Sequence, residues 1–313
     1  MNARRAIIID TDPGQDDALA LLLALASPEL EILGMVAVAG NVPLNLTQRN
    51  IRLVCELAGR PDIPVYSGAE RPLIRPLVTA EYVHGKTGLD GAELPEPTMP
   101  LCEEFGPDFI VDAVMSRPEG SVTLCTLGPL TNVALAIAKE PGIAPRLKEL
   151  VMMGGGFFEG GNITPVAEFN IYVDPHAAKI VLESGIPITM LPLDVTHKAL
   201  TSKSRINAFR ALGTEVGDAC VGWLEFFERF DEDKYGTDGG PLHDPNVIAY
   251  LLKPEIYVGR HINVEVETGS ELTMGMTVAD WWGVTNRKPN VNFIRNLDDE
   301  SFYAFLIERI GVL

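Results

Sequence analysis

The chain has 313 residues, 46% hydrophobic and 22% charged, ample for a large core in a globular protein. Its formal net charge of −18 argues against nucleic acid or an anionic membrane surface as partner. No stretch approaches the roughly 18 uninterrupted apolar residues of a membrane span, and the apolar run after Arg4 and Arg5 is too short for a secretion signal. The four cysteines (Cys55, Cys102, Cys125 and Cys220) form no CxxC pair. They imply neither zinc nor a disulfide framework and fit a reducing cytoplasm. No linker, low-complexity tract or internal repeat divides the chain, so residues 1–313 read as one domain.

Residues 6–9 are an apolar run rich in isoleucine, bounded by turn residues, and read as a buried strand. Pro13 and Gly14 break it, and residues 18–26 follow as an apolar helix. Four carboxylates, Asp10, Asp12, Asp16 and Asp17, fall at the join. Capping of the helix N-terminus accounts for one or two of them. Four within eight positions repel one another, and a hard divalent cation held by oxygen ligands is the usual remedy.

Further along, strands are predicted at residues 31–39, 64–67, 121–127, 150–153, 188–193, 261–267 and 291–294. Helices are predicted at residues 46–58, 105–115, from the GPLTN turn at 128–132 through 139, 175–184, 203–212, 214–230, 244–251 and 299–310. Residues 71–100 are rich in proline and glycine with no period, a long loop of the kind that carries function. Strand alternating with helix implies an α/β fold, a mostly parallel central sheet with helices on both faces, Rossmann-like. Ligands bind such sheets at the carboxyl ends of strands. Asp12, Asn41, the turn after Leu127, Asn162 and Asp194 all follow predicted strands.

Three other stretches carry polar groups of interest. GPLTN at 128–132 reads equally as a tight turn with Thr131 as helix cap. The glycine-rich segment 154–175 carries Asn162, Glu168 and Asn170, amides and a carboxylate of the kind that bind sugar hydroxyls. HDP at 243–245 is a good helix start, with Asp244 before proline. Trp223, Phe226, Phe227 and Phe230 recur at helical spacing, as core packing or as a face for stacking.

The ordered string DTDPGQDDA resembles the N-terminal signature of the nucleoside hydrolases, the inosine–uridine-preferring family. Haloacid-dehalogenase phosphohydrolases also follow a strand with DxD, but they want Thr or Val where this chain has Gly14. The resemblance runs from this motif to the PNV segment at Pro289. It implies hydrolysis of a ribonucleoside to ribose and free base, without fixing purine or pyrimidine preference. It implies Ca²⁺ bound by Asp12, Asp17, the Leu127 carbonyl and Asp244, with Asp12 as general base and Asp10 standing behind the ligands. It implies that Asp16, Asn41, Met153, Asn162, Glu168 and Asn170 hold the sugar. His84 matches a family histidine on a mobile loop near the 5′-hydroxyl, and His243 the leaving-group acid of the family's purine-hydrolysing branch. The family's base-stacking tyrosines have only Tyr235 as a counterpart nearby. By the same likeness a homodimer or homotetramer is expected. A non-catalytic nucleoside binder and a phosphohydrolase are the alternatives.

Overall fold

The computed structural model describes residues 4–235 and 239–313, with the backbone alone described at 228 and 230–235. The side chains of Phe230 and Tyr235 therefore lie outside the described residues. The chain runs β1 (Arg5–Thr11), α1 (Gln15–Leu25), β2 (Leu30–Ala37), α2 (Leu44–Leu57), β3 (Val65–Ser67), α3 (Glu81–His84) and β4 (Cys102–Phe105). It continues with α4 (Gly106–Met115), β5 (Val122–Thr126), α5 (Thr131–Lys139), β6 (Leu147–Met153), α6 (Phe169–Val173), α7 (Pro175–Leu182), β7 (Ile188–Leu191) and α8 (Leu193–Thr196). It ends with α9 (Lys203–Arg210), α10 (Glu215–Tyr235), α11 (Pro245–Leu252), β8 (Tyr257–Ile262), β9 (Val264–Val266), β10 (Thr277–Ala279), β11 (Val291–Leu297) and α12 (Asp299–Ile310).

Nine strands form one sheet in the order β4-β3-β2-β1-β5-β6-β7-β11-β8, parallel throughout except at the β8 edge. Sequence order reverses at the β1–β5 pair, the topological switch point where such sheets open a crevice. Alternation along each strand fills two cores. Ile7, Ile9, Met35 and Ala37 point into one, with α1, α2 and α11. Ile8, Val36, Leu124 and Leu150 point into the other, with α4, α5 and α7. Both faces are covered, which is why β1 reads as a continuous apolar run. Every residue of α1 is buried, consistent with its apolar character on all sides.

The predicted strand over 261–267 breaks at Asn263 into β8 and β9, which belong to different sheets. The Asn290 side chain takes the place of a strand neighbour at this corner: it accepts from Val264 N–H at 2.8 Å and donates to Val264 C=O at 3.0 Å. The predicted strand over 188–193 ends early because Pro192 starts α8. The short elements α3, β4, α6 and β10 show no period and escape prediction. Among the described residues no helix is long and apolar enough to cross a membrane.

Candidate active site

The site is built where β1 gives way to α1. Thr11 ends the strand, Pro13 and Gly14 turn the chain, and the free N–H groups at the buried N-terminus of α1 favour negative charge. Asp17 takes the capping role: Gly14 N–H donates to its Oδ2 at 3.0 Å, and the Thr11 hydroxyl donates to Oδ1. Asn41, after β2, donates its side-chain amide to Asp17 Oδ2 and to the Asp12 carbonyl, each at 3.2 Å. Its backbone N–H reaches Asp12 Oδ2 at 2.7 Å. Two glycines wall in Asp12. A Cβ on Gly40 would lie 2.0 Å from Oδ2, and one on Gly128 2.2 Å from Oδ1. Behind it, Asp10 Oδ2 accepts from the Asn132 amide at 2.7 Å.

Asp244 arrives from far along the chain, at the start of α11, with Pro245 at the first helical position. One oxygen each of Asp16, Asp17 and Asp244 lies within 4.8 Å of the others. The cation set expected from the sequence was Asp12, Asp17, Leu127 and Asp244, so the tightest acid group shares two members with it and brings in Asp16. Asp12 stands close enough to Asp17 and Asp16 to feel their charge. All four acids are buried. Burial first, then the neighbouring carboxylates, pushes Asp12 and Asp244 well above the ordinary range and Asp16 up to about 7. Burial also raises Asp17, and raises Asp10 to about 8. Asp12 Oδ1, Asp16 Oδ1 and Asp244 Oδ1 are buried without a hydrogen-bond partner. None of the ion pairs among the described residues involves these acids. Bare carboxylate oxygens, all hard and mutually repelling, fit a divalent cation bound by oxygen.

Beside β1 in the sheet lie β5 and then β6, whose ends carry the next polar groups. Leu127 follows β5, and its N–H donates to the Asp10 carbonyl at 2.8 Å. Its own carbonyl accepts from the Asn170 amide at 2.7 Å, and that amide also lies 3.5 Å from the Met153 carbonyl. Glu168 caps α6, accepting from the N–H groups of Gly155, Asn170 and Ile171. Asn162 accepts from Phe169 N–H at 2.9 Å. Of the residues expected to hold the sugar, Asn170 reaches the Leu127 and Met153 carbonyls, while Glu168 and Asn162 are engaged in shaping the loop. Asp194, noted from sequence at a strand end, works on the same loop: its carboxylate accepts from the N–H groups of Phe157, Phe158 and Glu159.

His84 is buried, ending α3, with Nδ1 2.7 Å from Gln15 Oε1 and its ring stacked on Phe227 at 5.6 Å. His243 Nδ1 lies 2.8 Å from the Thr196 hydroxyl, and its ring is 5.8 Å from that of His197. Trp223 is fully buried in the core, so it is packing, as helical spacing suggested. Gln15, Asn132, Asp90 and Thr196 were not singled out from sequence; each orients another group, and that relation leaves no mark in the sequence.

Residues 7–304 match the family described as inosine-uridine preferring nucleoside hydrolase. The chain belongs to that family. This nucleoside hydrolase is 46% identical over 311 residues to the pyrimidine-specific ribonucleoside hydrolase RihA of Klebsiella pneumoniae, covering 97% of this chain and 98% of that one. It is 56% identical to an uncharacterized protein of Schizosaccharomyces pombe, over 98% of this chain and 99% of the other. Among solved structures it superposes on a plant nucleoside hydrolase with a TM-score of 0.93 at 30% identity, covering 99% of both. A purine-preferring ribonucleoside hydrolase from Gardnerella vaginalis gives 0.92 at 30% identity, over 98% of both. The nucleoside hydrolase described here is therefore an enzyme that hydrolyses the N-ribosyl bond of ribonucleosides.

Proposed function

We propose that this enzyme is a calcium-dependent ribonucleoside hydrolase with a preference for pyrimidine nucleosides. The observation that carries the reading is the convergence of Asp16, Asp17 and Asp244, with Asp12 alongside, on one buried point beside the Asn41, Met153 and Asn170 wall. The pyrimidine preference is supported by the 46% identity to a pyrimidine-specific hydrolase, against 30% to a purine-preferring one.

In this reading Asp12, Asp17, the Leu127 carbonyl and Asp244 hold the cation, with Asp16 at its border. A bound calcium ion would supply positive charge that lets the clustered acids ionise, and would acidify a water. Asp12 takes the proton of the attacking water through its bare Oδ1. Its other oxygen is fixed by Asn41 N–H, so the carboxylate cannot turn away. As the C–N bond breaks, positive charge grows on the ribose, and the surrounding carboxylates stabilise it electrostatically. Asp16, Asn41, Met153, Asn162, Glu168 and Asn170 line the sugar, and His84 faces its 5′-hydroxyl. His243, turned by Thr196, protonates the departing base. The same reading extends to a cytoplasmic homodimer or homotetramer, which light scattering after size exclusion tests.

A reducing-sugar assay on uridine, cytidine, inosine and uridine monophosphate tests the whole. Ribose release from uridine in the presence of calcium is expected. Binding without release would mark a nucleoside binder, and phosphate release with magnesium a phosphohydrolase.

A further inference from the structure

Gln15 opens α1 and is wholly buried, next in sequence to the acid Asp16. Its side chain bonds the loop at 84–90 rather than the acids. Nε2 lies 3.0 Å from the His84 carbonyl and 3.0 Å from the Asp90 carbonyl. Both of those oxygens only accept, so this end of the amide is the NH₂ group. Oε1 is then the atom 2.7 Å from His84 Nδ1. An amide oxygen also only accepts, so the proton of that bond sits on Nδ1. In a neutral imidazole the second nitrogen, Nε2, is then a bare acceptor. Burial keeps the ring neutral, pushing its pKa down to about 3.

The ring cannot easily turn to reverse this. On one side a Cβ at Gly14 would meet its Nδ1 at 2.4 Å, and on the other it stacks against Phe227 of α10. Asp90 is itself fixed, its carboxylate accepting from Lys86 and Thr87 N–H at 3.1 Å each. Among the described residues no hydrogen bond reaches His84 Nε2, and the residue keeps 7% of its surface exposed.

We infer that Gln15 is a positioning residue that fixes His84 in its Nδ1–H tautomer, so that the 5′ end of the sugar meets a hydrogen-bond acceptor and is read as a hydroxyl donor. This rests on the reading of His84 as the residue facing the 5′-hydroxyl. Gln15 never touches substrate. It acts through His84, and it ties the loop carrying that histidine to the turn carrying the acids.

The test compares uridine with 5′-deoxyuridine in wild type, Gln15→Ala and His84→Ala, alongside a ¹⁵N spectrum of histidine-labelled wild-type protein. Wild type should prefer uridine in kcat/KM by about tenfold, the worth of one good hydrogen bond. In Gln15→Ala the ratio should fall towards one, chiefly through KM for uridine, with 5′-deoxyuridine within about threefold of wild type. The spectrum should show His84 Nε2 unprotonated, assigned by its loss in His84→Ala. Equal loss on both nucleosides in Gln15→Ala, with the ratio kept, would overturn the Gln15 role, as would an Nε2–H signal in wild type. A wild-type enzyme indifferent to the 5′-hydroxyl would overturn the His84 reading and this inference with it, whereas a ratio abolished by His84→Ala but kept by Gln15→Ala sinks the inference alone.

Discussion

Asp16 and Asp244 lie more than two hundred residues apart in the sequence, yet each brings a carboxylate oxygen within 4.8 Å of the other. The two helices that carry them, α1 and α11, pack together, so the acids are pressed close by the apolar burial behind them. Left to themselves these carboxylates repel.

Calcium is therefore expected to raise the melting temperature. At about one hundred times its Kd, binding adds roughly 2.7 kcal/mol, about 4 °C for a chain of this length. Chelation should reverse the rise and abolish turnover. Asp244→Asn should remove the calcium response, and in chelator should melt no lower than the parent, having lost one of the mutually repelling charges. A melting temperature indifferent to calcium and chelator in wild type would sink the cation reading. Differential scanning fluorimetry measures it.

Gly128 leaves no room beside Asp12. A methyl group there would sit 2.2 Å from Oδ1 and push the carboxylate out of line. Gly128→Ala should cost at least about 10² in kcat, as a displacement near 1 Å does at a reacting group. Its far-UV circular dichroism should stay native. Gly142→Ala is the control, since its added Cβ meets only the movable Glu140 side chain, at 2.7 Å. Full activity in Gly128→Ala would mean that Asp12 is not held at the reacting centre.

His243→Ala should slow uridine by about 10²–10⁴, the usual worth of a general acid. A nitrophenyl riboside, whose leaving group needs no proton, should slow by less than about tenfold. Thr196→Val should show the same selectivity in weaker form, because it frees the ring that the 2.8 Å contact holds. Equal losses on both substrates would remove His243 from the acid role.

His84 couples stability to pH. Its folded pKa, about 3, lies below the ordinary histidine value, so between the two the unfolded chain binds the extra proton. Stability from this group is whole above about pH 6.5 and drains away as pH falls towards 3, up to roughly 5 kcal/mol. The stability difference between wild type and His84→Asn, from urea unfolding at stepped pH, should be flat above pH 6.5 and move against wild type below it. A flat difference throughout would contradict the buried neutral ring.

The amino-acid sequence determined a great deal. Alternating runs such as residues 6–9 and 18–26 dictate β1 and α1, because a strand covered on both faces and a helix buried on all sides must be apolar throughout. The cluster Asp10, Asp12, Asp16 and Asp17 announces a charged site, since four repelling acids within eight positions need a reason. Asp244 before Pro245 is legible as a helix start. Only the tertiary structure decided which acids meet. It drew Asp16 and Asp244 together through the packing of α1 on α11, and set Leu127 opposite β1 by the order of the sheet. It also gave Glu168 and Asp194 to the backbone of the glycine-rich loop, and Gln15 to His84. Those relations join groups far apart in the chain, and a hydrogen bond or a shared charge has no local period by which a sequence could record it.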